Sequence, residues 1–367
     1  MVGANTRIVG LDVLRDFAAI IIVVYHCNAL LELQKWPQYT GYFSFAVQIF
    51  FALSAFSLCI RYQGRLEGIG NITDFYIQRC LRIAPLFYVM MLLVIVRRIY
   101  KGWELPSLQE VVLNLSFLFP FVPGKHESLV AAGWSLGLEM MFYAMFPLVV
   151  AYVLNLRQAG IWFVIAIFVQ CLAGYWLYSA NLTQNFYWMA FPVQVPFFLI
   201  GVVVFHLFKK VDTWPMSRRA SLAVATVIAA PTLLWVGWAL GIYEMRIDGW
   251  PVFRPIIGYL LAPLVFAFAI YSFPVIVNRG TVYLGEISYG VYLIHPLMIR
   301  LVGVPVQKTL SQAGVGTLET TVLVIGAVLA ATILMASLSY RWLERPMMQL
   351  RGRAVLGKGA LLEPRLR

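Results

Sequence analysis

Residues 7–26 read Arg7-Ile-Val-Gly-Leu-Asp12-Val-Leu-Arg15-Asp16-Phe-Ala-Ala-Ile-Ile-Ile-Val-Val-Tyr-His26, an apolar run that carries four ionisable side chains past its first residue. No small-residue cleavage site follows, so the run reads as a retained membrane helix and not as a signal peptide. Charge inside a bilayer is expensive, and where it occurs it usually marks function. Arg15 and His26 are eleven positions apart. At about 100° and 1.5 Å per residue this is roughly three turns plus 20°, so both side chains leave one stripe about 16 Å apart along the axis. A cation near one end and an imidazole near the other suit a ligand that threads between them.

The whole chain has the same character. Of its 367 residues 61% are hydrophobic and only 12% charged, with a mean hydropathy of +0.81. A soluble domain is excluded; the fold class is an all-α polytopic membrane protein. Ten spans are expected: Val9–Leu31, Tyr42–Ile60, Ile83–Ile99, Trp134–Leu154, Ile161–Tyr178, Tyr187–Phe208, Ala220–Ile242, Pro255–Val277, Val282–Val302 and Thr317–Tyr340. Leu108–Phe121 is also apolar, but it is short and runs into Pro120-Phe-Val-Pro123. It reads as re-entrant or interfacial. One membrane domain is expected over residues 1–345, with a short basic tail over 346–367.

The net charge of +12 has no soluble basic domain to serve, so nucleic acid is excluded as a partner. The excess sets orientation instead. With both termini cytoplasmic, eighteen Lys and Arg fall on the inner side and nine on the outer, Arg15 lying within the first span. That two-to-one bias follows the positive-inside pattern, and turning Leu108–Phe121 into a true span would blur it. Cys27, Cys59, Cys80 and Cys171 show no close pairing and read as packing residues; no metal site is expected.

Three further stretches carry chemistry. In the loop before the third span, Asp74-Phe-Tyr-Ile-Gln-Arg79-Cys-Leu-Arg82-Ile-Ala-Pro85 sets two arginines three apart, on one face of an incipient helix. They could grip a phosphate together or simply anchor the loop. Opening the fourth span, Trp134-Ser135-Leu-Gly137-Leu-Glu139-Met-Met-Phe-Tyr143 puts Glu139 about five residues, roughly 7 Å, below the outer end. His26 sits at a similar depth, so the carboxylate and the imidazole are expected to pair, the acid orienting the ring. The other reading is a carboxyl bonded to a neighbouring helix. In the ninth span Ser288, Tyr292 and His295 recur at i, i+4 and i+7, a face that could line a polar cavity, although His295 before Pro296 could equally be a kink residue. His126 and His206 read as incidental.

Taken together and in order, these stretches resemble the acyltransferase-3 family of polytopic membrane O-acyltransferases. The likeness rests on Leu11-Asp12-x-Leu-Arg15 ending at His26, Phe50-Phe51-Ala-Leu-Ser54-Ala55-Phe56, Arg79-x-x-Arg82-Ile-x-Pro85, Trp134-Ser135-Leu-x-x-Glu139-x-x-Phe-Tyr143, Leu284-Gly-x-Ile-Ser288-Tyr289-x-x-Tyr292-Leu-x-His295 and Glu344-Arg345-Pro346. It implies His26 as the catalytic residue, Arg15 as essential and near the acyl donor, Arg79 and Arg82 at a cytosolic site for acetyl-CoA or another acyl-CoA, and Glu139 in the active site. Ser135, Tyr143, Ser288, Tyr292 and His295 would line the substrate path. The implied acceptor is a saccharide or lipid-linked glycan of a bacterial envelope or exopolysaccharide, in the cytoplasmic (inner) membrane, with a small natural product such as a macrolide as the narrower alternative. Direct transfer and an acyl-histidine intermediate stay open. Asp16, Ala55 and Gly137 depart from the family pattern, and no fused esterase-like domain is expected after Arg367. Outside the enzyme class, a flippase for a lipid-linked sugar would use the same polar path, and a scaffold would keep these charges as interhelical pairs.

Overall fold

A computed structural model describes residues 7–33, 38–182 and 185–350. Nine of its helices are long and apolar enough to cross a membrane. In chain order the α-helices are α1 Val9–Leu31, α2 Ala46–Tyr62, α3 Gly68–Lys101, α4 Leu108–Leu115, α5 Trp134–Tyr152, α6 Leu156–Ser179, α7 Phe186–Met189, α8 Phe191–Val211, α9 Met216–Ala239, α10 Ile256–Leu261, α11 Pro263–Ile270, α12 Arg279–Met298, α13 Val304–Gln312 and α14 Thr317–Ser339. The protein is an all-α polytopic membrane protein.

The spans expected from hydropathy are present, with two differences of physical origin. Pro255–Val277 is not one helix: it divides into α10 and α11, with Pro263 opening the second. Even end to end, Ile256–Ile270 reaches only about 22 Å, short of the roughly 30 Å hydrocarbon core. The third span, in contrast, begins fifteen residues before Ile83 and runs unbroken through Pro85 for 34 residues. Arg79 and Arg82 therefore sit on a formed helix and not in a loop. Leu108–Phe121 does not cross: α4 has eight residues behind a Ser107–Glu110 capping box, followed by a 3₁₀ turn over Phe119–Phe121. An ion pair from Lys125 Nζ to Glu110 at 2.8 Å pins this segment. The α14 helix continues through a π turn at Tyr340–Glu344 and stays helical to Leu350, while residues 351–367 of the expected tail lie outside the described residues.

Burial sorts the bundle into an inner and an outer set. The spans holding α2, α8 and α12 have 61–67% of their apolar window buried, against 17% for those of α6 and α9. Small residues let the inner helices touch backbone to backbone, as membrane packing requires in the absence of a hydrophobic drive. A Cβ on Gly285 would overlap the carbonyl of Asp12, and one on Gly201 the carbonyl of Ala52. Gly285 against Asp12, His295 against His26 and Gly303 against Leu31 follow one another along the pair, so α1 and α12 run parallel.

Gly201→Ala is expected to push α8 off α2 and cost about 1–3 kcal/mol, read as a lower thermal midpoint in detergent. Gly160→Ala, which meets open space on α6, is the control and leaves the midpoint unchanged.

Candidate active site

A cavity of about 260 Å³ opens between α1, α2, α3, α5 and α12. Five guanidinium groups line it: Arg7, Arg15, Arg61, Arg79 and Arg82. Asp12 and Glu139 are the carboxylates in its wall. The arginines differ in how they are held. Asp12, buried in the first turns of α1, accepts from Arg7 Nε at 2.6 Å on one oxygen and from Arg15 at 3.0 Å on the other. Arg7 also reaches Glu286 on α12, and Arg15 donates to Ser57 Oγ at 2.6 Å. Paired this way, a cation can stay charged at membrane depth.

Arg79 is held by aromatic faces. Its guanidinium carbon lies 5.7–5.9 Å from the ring centres of Tyr62, Phe75 and Tyr143, and it donates weakly to Tyr62 Oη at 3.4 Å. No carboxylate reaches it within ion-pair distance among the described residues, and its Nε is buried without a partner. Such a cage orients a guanidinium without spending its charge. Arg82, one turn on, is exposed to the cavity. The spacing of the two arginines was legible in the sequence; Arg7, Arg61, Ser54 and Ser57 as cavity groups were not, because their neighbours come from other helices.

Glu139 does not pair with His26. Its carboxylate accepts from Ser54 Oγ at 2.7 Å and from Tyr143 Oη one turn along α5. The alternative reading, a carboxyl bonded to a neighbouring helix, describes this geometry. Similar depth did not bring the two together because rotation about each helix axis decides which side chains meet. His26 meets His295 instead: Nδ1 of the first and Nε2 of the second are 3.0 Å apart, with ring centres 4.9 Å apart. His295 is fully buried, and its Nδ1 has no partner.

Neither histidine lines the cavity. Phe50, Ser135 and Tyr292 are among its lining side chains; Ser135 Oγ and Tyr292 Oη lie 2.7 Å apart, and Tyr292 donates to the Ala132 carbonyl at 3.1 Å. The Tyr292 ring centre is 6.0 Å from that of His295. Tyr292 thus lines the arginine-rich cavity on one side and neighbours the histidine pair on the other. Ser288 and Tyr292 share the cavity wall as their spacing predicted, but Ser288 is occupied by the Gly285 carbonyl at 2.9 Å. Gly137 has a steric cause, since a Cβ there would strike Phe119 and Pro120. Asp16 is buried on α1 outside this cavity, and nothing in the structure explains it.

The model of an acyltransferase domain family matches residues 8–340, and the chain belongs to that family. Its relatives bear acetyltransferase names. A provisionally named acetyltransferase of Acidianus two-tailed virus is 26% identical over 79% of this chain and 83% of its own length. A provisionally named O-acetyltransferase of Staphylococcus aureus (strain COL) is 26% identical over 92% of the chain, and the peptidoglycan O-acetyltransferase OatA of Listeria monocytogenes is 23% identical over 92%. The chain spans 56% and 55% of the length of these last two. No solved structure matches.

Asp12→Asn is expected to lower the thermal midpoint by the equivalent of about 3 kcal/mol, because it takes the carboxylate partner from buried Arg15 and leaves Arg7 with Glu286 alone. An unchanged midpoint would mean that solvent screens both pairs.

Proposed function

We propose that this chain moves an acetyl group, or another acyl group, from acyl-CoA to a hydroxyl of a saccharide or lipid-linked glycan across a bacterial inner membrane. The observation that carries this reading is the gathering of five arginines on one cavity at the N-terminal end of α1. Arg7 and Arg15 are balanced by Asp12 and Glu286; Arg61, Arg79 and Arg82 keep their charge for a ligand. Phosphates and a nucleotide fit that surplus, and an orphaned guanidinium N–H on Arg79 fits a phosphoryl oxygen. The charge bias of the loops supports a cytoplasmic position for this end, where acyl-CoA is made available, with both termini on that side.

From there the narrow pantetheine arm would follow α1, and the thioester would reach His26 past Tyr292. The catalytic base is His26 in the tautomer whose Nδ1–H donates to His295 Nε2, which leaves its own Nε2 lone pair free. That nitrogen takes the proton of the acceptor hydroxyl. The oxygen forms a bond to the thioester carbonyl carbon, the carbon–sulfur bond breaks, and the imidazolium returns the proton to the departing thiolate. His295 holds the ring and the tautomer, the part that the sequence had assigned to Glu139. Glu139 would position Ser54 and Tyr143 in the donor cavity, and Arg15 would hold the donor near its wall.

His26→Ala is expected to reduce transfer of labelled acetyl from acetyl-CoA to membrane glycans by about 100-fold or more, with protein level and thermal midpoint retained. His295→Ala should give a smaller loss of activity. Wild-type transfer by His26→Ala would sink the assignment.

A further inference from the structure

A second crevice lies at the opposite end of the bundle from Arg7 and Arg82. Its walls are two helix stripes of identical spacing: Met90, Leu93, Val94 and Arg97 on α3, and Leu293, Pro296 and Leu297 on α12 with Arg300 on the π turn that continues it. Both follow i, i+3, i+4, i+7, one face of a helix, and both end in arginine two turns, about 10 Å, beyond the first apolar residue. Val130 and Ala131 close the back. The crevice is narrow, about 50 Å³, and it reaches the outside of the bundle, where its own Leu93 is 45% exposed and Leu92, Val96 and Leu301 on the same two helical stretches are each more than half exposed.

The two cations are uncompensated. Neither Arg97 nor Arg300 has a carboxylate within ion-pair distance among the described residues. Arg97 lies over the Trp103 ring at 4.8 Å, which orients its guanidinium and leaves its hydrogen bonds free. Arg300 is exposed. An apolar slot facing the lipid, closed at its polar end by two planar forks, has the layout of an amphiphile with an anionic head.

We propose that this crevice binds a membrane phospholipid of net negative charge, the phosphate between Arg97 and Arg300 and one acyl chain between the two stripes. The bound lipid neutralises both arginines and fills the seam between α3 and α12, on the flank of α12 away from α1. This site is separate from the cavity proposed to hold the acyl donor, and it stands whether or not that donor is acyl-CoA. Arginines that merely anchor helix ends would make no distinction among lipids.

The test is native mass spectrometry of the purified protein in mild detergent, titrated with phosphatidylglycerol or phosphatidylcholine, beside an Arg97→Gln, Arg300→Gln double variant. Wild type is expected to retain phosphatidylglycerol in preference to phosphatidylcholine, and the double variant to lose about tenfold or more of that affinity. A Lys101→Gln, Lys308→Gln variant, which removes two charges outside the crevice, should bind as wild type does, and excess inorganic phosphate should not displace the lipid. Equal retention of both lipids, unchanged binding by the folded double variant, loss of binding in the lysine control or displacement by phosphate alone would each overturn the proposal. A thermal midpoint near wild type establishes that the variants are folded.

Discussion

The Asp12 carboxylate is the constraint on which the arginine-lined cavity depends. One oxygen holds Arg7 and the other holds Arg15, so two cations at the start of α1 share one buried anion. A guanidinium set alone at that depth would be pulled towards water or would hold the bundle open. Arg7 extends the arrangement to Glu286, which ties α1 to α12 at the end where Gly285 allows their backbones to meet. Electrostatics and close packing therefore fix the same helix pair. That pair also carries His26 and His295 towards its far end.

Charge balance around the cavity is deliberately incomplete. Asp12 and Glu286 together compensate Arg7 and Arg15, Glu139 is taken by Ser54 and Tyr143, and Arg79 is surrounded by aromatic rings instead of carboxylates. A positive surplus confined between low-dielectric walls attracts an anionic ligand more strongly than the same charges would on an open surface. The histidine pair lies outside the lining of that cavity, next to Tyr292 in its wall. This division separates the place where a charged donor would be gripped from the place where a proton would be moved.

Much of this was legible in the sequence. The eleven-residue step from Arg15 to His26 fixed their common stripe, since helical geometry is local, and the three-residue step from Arg79 to Arg82 fixed theirs. The ten apolar segments were legible for the same reason, apart from the break at Pro263 and the early start of α3. The partner of His26 was not. Glu139 and His295 both lie at a suitable depth, and only the rotation of α5 and α12 about their axes, set by contacts such as Gly137 on Phe119 and Gly285 on Asp12, decides which one faces α1. The same holds for Arg7, Ser54, Arg61 and Ser57, whose place in the cavity depends on packing between helices far apart in sequence.

The central claim is that the arginine cavity is the site of a nucleotide thioester. It is tested most directly by calorimetric titration of acetyl-CoA into the purified protein, wild type beside an Arg79→Ala, Arg82→Ala variant of matching thermal midpoint. Saturable binding by wild type, weakened at least tenfold in the variant, is the predicted result. Equal binding by both proteins, or none by folded wild type, would contradict it.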